Sequence, residues 1–251
     1  PSCASLGGSS NPTCTTFARP GNSGQFSLAC PQTVTTKSKS IVGSSATAAA
    51  VALGGCGGKD QPIVRPAGVP VGRFGKKSTA EEVTAGIDLR GKTALITGAN
   101  SGLGYEAMRV LAMRGAHVLC AARTLEKAAA ACAGIQGRTT PVAIELTDFP
   151  SIVVGTDAVR AMGMPIDMLI LNAGIMALPE LEQVNGLAKQ FVTNHLGHFI
   201  VGNRLLPQVQ AAAQGRVVVL TSSGYKWAPE SGIEFDNLSG ERDYKPNKMY
   251  G

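Results

Sequence analysis

The chain has 251 residues, 44% of them hydrophobic and 16% charged, enough apolar material for a substantial core, and it carries a formal net charge of +6. That charge is unevenly placed: residues 1–79 hold 8 Lys/Arg against the single acid Asp60, whereas residues 80–251 hold 15 against 16 acids. The basic balance belongs to the N-terminal part, and the near-neutral remainder has no basic stripe with interleaved aromatics, which speaks against nucleic acid as a partner.

The first 45 residues contain 16 Ser or Thr, and no acid precedes Asp60. With no sustained amphipathic period, residues 1–79 cannot bury enough apolar surface to offset their ordering entropy, and we expect a disordered leader and linker. Ser-rich, acid-poor composition points to an organelle transit peptide of the plastid type, with a plain disordered extension as the alternative. The apolar run Ile41–Leu53 is too short to span a bilayer, so no integral membrane segment is expected. Cys3, Cys14, Cys30 and Cys56 match no zinc or redox spacing. The first residue is Pro1 rather than Met, and the sequence is read as lacking its start.

Residues 80–251 read as one folded domain. Lys92 to Ile96 is a short apolar run fit for a buried parallel strand. Thr97-Gly98-Ala99-Asn100-Ser101-Gly102-Leu103-Gly104 follows, and Leu103, Ala107, Val110 and Leu111 then recur at helical spacing until Gly115. A strand, three glycines in the spacing G-x-x-x-G-x-G and a helix form the phosphate-binding turn of a dinucleotide fold. Gly98, Gly102, Leu103 and Gly104 are its cofactor-binding candidates. Asn100 and Ser101 either bond the phosphates or brace the loop.

A second strand, His117–Ala121, leads to Arg123, where such folds meet the adenosine ribose. No acid occurs between Arg114 and Glu126, so a cation for the 2′-phosphate of NADP is favoured over an acceptor for the 2′-hydroxyl of NAD. A solvated charge beside the N-cap Thr124 is the competing reading. Further strands are expected at Pro141–Leu146, Asp167–Leu171 and Arg216–Leu220, with a long helix from about Val184 to Leu206. Cys120 and Cys132 are expected to pack as small apolar residues. His195 and His198 lie three apart, but without a third ligand no metal is expected. Strands alternating with helices define an α/β fold: a doubly wound parallel sheet of Rossmann type, incomplete at the C-terminal side.

Asn172-Ala173-Gly174, Asn194-His195-Leu196-Gly197-His198-Phe199, Thr221-Ser222-Ser223 and Tyr250-Gly251 follow the glycine run in an order that resembles the short-chain dehydrogenase/reductase family, from about Ile87 to Gly251. Ser222 and Tyr250 stand 28 positions apart. That interval, with N-H-L-G-H-F, is similar to the retinol dehydrogenase, WW-domain oxidoreductase and light-dependent protochlorophyllide reductase branch, and Asn172-Ala173-Gly174 suits the retinol dehydrogenase type better.

The resemblance implies that Asn172, Ala173 and Gly174 lie under the nicotinamide-side ribose. Glu145 stands where the family more often has an Asp near the adenine. Asn194 distorts its helix and holds a water of the proton relay. Ser222, with Ser223 as the off-by-one alternative, bonds the substrate oxygen, and Tyr250 is the general acid, or base in reverse. Tyr250-Gly251 begins the family's Y-x-x-x-K, whose lysine would fall beyond the last residue, so the 251-residue chain by itself is expected to be an inactive fragment. The implied activity is NADP(H)-dependent hydride transfer between nicotinamide and a small hydrophobic carbonyl or alcohol. The alternatives are plastid protochlorophyllide reduction and a non-catalytic NADP(H)-binding sensor or scaffold.

Overall fold

The computed structural model describes residues 72–75 and 77–251. The leader features (its transit-peptide composition, the Ile41–Leu53 run and the four N-terminal cysteines) lie outside the described residues. A four-residue helix α1 (Ala80–Val83) opens the domain. Thr79 caps it by accepting from the Glu82 N–H while the Glu82 carboxylate accepts from the Thr79 N–H.

From there strands and helices alternate: β1 (Thr93–Thr97), α2 (Gly102–Met113), β2 (His117–Ala122), α3 (Leu125–Ala133), β3 (Thr139–Ala143), α4 (Phe149–Ala161) and β4 (Met168–Leu171). β3 starts two residues earlier than the sequence suggests, because its register opposes Thr139 to Val118 of β2. Side chains alternate across β1 and β2. Ala94, Ile96, Val118 and Cys120 pack on one face with Met108 and Ala112 of α2 and Ala128 of α3. Leu95 and Leu119 pack on the other with Ile152 and Val159 of α4. Burial on both faces is why these strands read as continuous apolar runs.

The expected helix from Val184 is not what forms there. Gln183–Val184 (β5) and Leu187–Ala188 (β6) make a small antiparallel hairpin. Asn185 and Gly186 turn it with φ of 53° and 75°, values that an Asn-Gly pair accommodates in a two-residue hairpin turn. The helix starts only after it, as α5 (Lys189–Phe191), passes through a π-helical stretch Val192–Gly197, and continues as α6 (His198–Ala211). Val201, Leu205 and Val209 of α6 join the face that carries α4. Then come β7 (Arg216–Val219), two 3-10 turns at Ser223–Trp227 and Phe235–Asn237, and α7 (Pro246–Tyr250).

The five long strands form one sheet in the spatial order β3-β2-β1-β4-β7, every pair parallel. The chain runs outward from β1 to β3 and then returns to the opposite side of β1 at β4. Where the order reverses, the connections leaving the C-terminal ends of β1 and β4 diverge and open a crevice. Beyond β7 the sheet leaves apolar groups at the surface among the described residues, with Val219 57% exposed. No helix among the described residues is long and apolar enough to cross a membrane.

Candidate active site

Backbone geometry shapes the crevice first. Gly98 and Gly102 take φ of 67° and 58°, which turn the chain sharply out of β1 into α2. Gly104 is helical, yet a Cβ there would lie 2.4 Å from the Gly98 carbonyl oxygen and 2.5 Å from Asn172 Nδ2, so only glycine lets α2 sit this close to the strand ends. Ser101 occupies the N-cap of α2 without making a side-chain cap bond.

A cavity of about 400 Å³ follows, bordered by Gly98, Asn100, Ser101, Leu103, Gly104, Arg123, Glu145, Asn172, Ala173 and Gly174. Gly102 shapes the turn without bordering the cavity. The structure thus brings the cofactor-binding candidates, Gly102 apart, to one crevice. Thr97, Ile144, Ile175 and Thr193 also border it and were not singled out from sequence. Their only sequence signal is adjacency to the strand ends and to Asn194.

At one end of the cavity Arg123 is exposed just past β2. Thr124 beside it caps α3, accepting from the Lys127 N–H at 3.2 Å. Glu145 is engaged locally: its Oε1 accepts from the Thr147 N–H (3.1 Å) and hydroxyl (2.9 Å). The carboxylate therefore braces the turn into α4 while bordering the cavity.

At the other end Thr97 is the hub. Its Oγ1 accepts from the Asn172 and Ala173 N–H groups at 2.9 and 3.1 Å and lies 2.9 Å from His198 Nε2. Asn172 Nδ2 donates to the Thr97 carbonyl at 2.9 Å. Asn194 lies inside the π-helical stretch, where its amide pairs twice with Ile175: Oδ1 accepts from the N–H at 2.9 Å and Nδ2 donates to the carbonyl at 2.8 Å. His195 and His198 diverge. His195 stacks between Phe191 and Phe199 while His198 is buried against Thr97, and no metal-ligand cluster occurs among the described residues. Cys120 is buried, and burial pushes its thiol up to about 12, which keeps it unreactive.

Ser222 and Tyr250 meet at Gly224. Ser222 Oγ accepts from the Gly224 N–H at 3.0 Å, and a Cβ on Gly224 would fall 2.5 Å from the Tyr250 ring and 3.2 Å from Ser222 Oγ. Gly251 packs as closely from the other side, since its Cβ would lie 2.8 Å from the Gly224 carbonyl oxygen. Trp227 lies against the Tyr250 ring, centroids 6.1 Å apart. Ser223 opens the 3-10 turn instead. Of the rival tyrosines, Tyr225 is exposed, and Tyr244 donates its hydroxyl proton to the Leu178 carbonyl at 2.6 Å. Tyr250 and Asn194 border a second cavity of about 650 Å³, whose lining is mainly apolar, with Phe191, Ile233, Phe235, Leu238 and Met249, and also carries the charged Glu234, Arg242, Asp243, Lys245 and Lys248.

Two imidazoles carry a pH dependence. Burial holds His198 below the usual range, opposed by its bond to the Asn194 carbonyl and reinforced by His195. Burial and the Arg138 charge do the same to His117. The folded state thus resists protons that the unfolded chain accepts near 6.5, so this stability is complete above that pH and is lost as pH falls below it. Thermal melts should show a lower Tm at about pH 5.5 than at about pH 7.5, before exposed carboxylates titrate. A flat Tm across that interval would contradict the burial of both rings.

The short chain dehydrogenase family model matches residues 92–230, more than half the chain, and the protein belongs to that family. Among curated relatives, the chain is 38% identical over 188 residues to the short-chain dehydrogenase TIC 32 B, chloroplastic, of Brassica napus, covering 71% of this chain and 59% of that one. It is 35% identical to the WW domain-containing oxidoreductase of Drosophila melanogaster (71% and 44% covered) and 35% identical to retinol dehydrogenase 11 of Mus musculus (66% and 54%). The chain therefore spans about half the length of these relatives. A crystal structure of an uncharacterised Mycobacterium paratuberculosis protein superimposes with a TM-score of 0.56 at 35% identity, covering 65% of this chain and 57% of that one.

Proposed function

We propose that the protein transfers hydride between NADP(H) and a hydrophobic carbonyl or alcohol, with Tyr250 as general acid or base and Ser222 as the oxygen-binding hydroxyl. The observation that carries this reading is the meeting of Ser222 and Tyr250 at Gly224, beside an apolar cavity bordered by Asn194. The glycine turn fits a pyrophosphate because a Cβ at Gly104 would obstruct its backbone, and its capping position leaves the first N–H groups of α2 without a side-chain partner. Gly98, Asn100, Ser101, Leu103 and Gly104 would hold the phosphates, and Asn172, Ala173 and Gly174 the nicotinamide-side ribose. Bound there, the cofactor supplies or accepts the hydride. Tyr250 Oη delivers a proton to the carbonyl oxygen while the Ser222 hydroxyl donates to it. Asn194 orients the nicotinamide-side loop through its paired bonds to Ile175.

Preference for NADP(H) rests on Arg123, an exposed cation at the end of β2 with no acid in the sequence between Arg114 and Glu126. NADPH should bind the native protein more tightly than NADH, and Arg123→Asp should narrow or invert the gap by about 1–3 kcal/mol, read by fluorescence titration of both cofactors. Equal affinities in the parent would sink the NADP assignment. A plastid location is supported by the leader composition and by the chloroplastic TIC 32 relatives.

A further inference from the structure

We infer that His198 is a positioning residue of this site, a neutral imidazole in its Nδ1–H form that fastens the Asn194 carbonyl to the Asn172–Ala173 loop through the Thr97 hydroxyl. The direction of every bond is fixed by what its atoms can do. The Asn172 and Ala173 amides only donate, so they take both lone pairs of Thr97 Oγ1. The single hydroxyl proton then goes to the remaining partner, His198 Nε2, 2.9 Å away. Nε2 is therefore bare, and the ring proton sits on Nδ1, 3.1 Å from the Asn194 carbonyl, which only accepts.

The Asn194 carbonyl lies in the π-helical turn. In an α-helix the His198 N–H would bond it; here that N–H donates to the His195 carbonyl instead, and the side chain of the same residue bonds the Asn194 carbonyl. Thr97 is 2% and His198 5% exposed, so solvent does not substitute for a lost partner. The chain of bonds joins β1, the loop after β4 and α6 at the floor of the cofactor crevice. His195, three residues earlier, is exposed and stacks on phenylalanines, so composition alone does not distinguish the two histidines.

This inference rests on the placing of Asn172 and Asn194 in the proposed site, but its first test is independent of activity. In the native protein labelled with ¹⁵N-histidine, NMR should show His198 protonated at Nδ1 and bare at Nε2; the opposite tautomer overturns the inference. The second test is NADPH affinity. Removing both bonds in His198→Leu should weaken binding about tenfold. His198→Gln, whose amide oxygen reaches the Nε2 position, should restore most of it, whereas His198→Asn, whose amide stands in for Nδ1 alone, should stay near the Leu value. Parental affinity in all three, or His198→Gln as weak as Leu, would show that the ring only fills space. A parent that binds no NADPH would refute the proposed function, and the tautomer measurement would still decide the network.

Discussion

Tyr250→Phe is expected to lower carbonyl reduction by the native protein about 10³-fold while leaving NADPH affinity within about twofold of the parent. The ring keeps its packing against Gly224 and Trp227, so the fold at that point is undisturbed. What disappears is the hydroxyl proposed to exchange a proton with the substrate oxygen. The neighbouring groups cannot replace it: Asn194 has its amide committed to Ile175, and Tyr244 donates to Leu178. Ser222→Ala should cost about 10²-fold, because its oxygen accepts from Gly224 N–H and its own proton is left to donate to the substrate oxygen. Ser223→Ala should cost little. Steady-state rates with a simple aromatic aldehyde, alongside cofactor titration, measure all three. Near-parental turnover in Tyr250→Phe would remove the assigned acid.

Gly104→Ala should be the most damaging small substitution in the crevice. Its Cβ would press on the Gly98 carbonyl oxygen at 2.4 Å, a backbone atom of the glycine turn, and on Asn172 Nδ2. Neither gives way without moving α2 off the strand ends. Overpacking of this kind costs about 1–3 kcal/mol, a fall in Tm of roughly 3–10 °C, and NADPH binding should weaken at least about tenfold. Gly102→Ala is the informative comparison. Nothing lies within 4 Å of its Cβ position, so it bears only the strain of φ at 58°, about 1 kcal/mol. If Gly104→Ala matched Gly102→Ala in both Tm and affinity, the close approach of helix to strand would not govern the site.

The contrast between these glycines shows which parts of the molecule were legible in the sequence. β1, β2 and β4 announce themselves because burial on both faces demands unbroken apolar runs, and the phosphate turn because its backbone tolerates so few side chains. Local chemistry of that kind leaves a local trace. The hairpin at Gln183–Ala188 also left one, the Asn185-Gly186 pair, but the apolar spacing that continues into the following helix masks it. His198 is different: its hydroxyl partner, Thr97, lies 101 residues away in sequence, and no spacing along the chain encodes that meeting. The same holds for Thr97 itself, whose neighbours in the glycine run give no hint of its bonds to Asn172 and Ala173. Sequence also nominates Ser222 and Tyr250 one at a time, by resemblance; only the folded chain shows the glycine between them.

That glycine contact has an evolutionary corollary. Gly224 and Gly251 clasp the two ends of the excursion that carries Phe235, Leu238 and Met249 around the larger cavity. With its ends held together, the excursion behaves as a closed loop, and closure entropy rises only by about 0.6 kcal/mol for each doubling of length. Insertions, deletions and exchanges within it can remodel what the pocket admits without altering the spacing of serine and tyrosine. On the proposed function, recognition would be a replaceable cassette mounted on a fixed pair of serine and tyrosine, so that selection, or an engineer grafting a foreign segment between the two glycines, could change the substrate while leaving the chemistry in place.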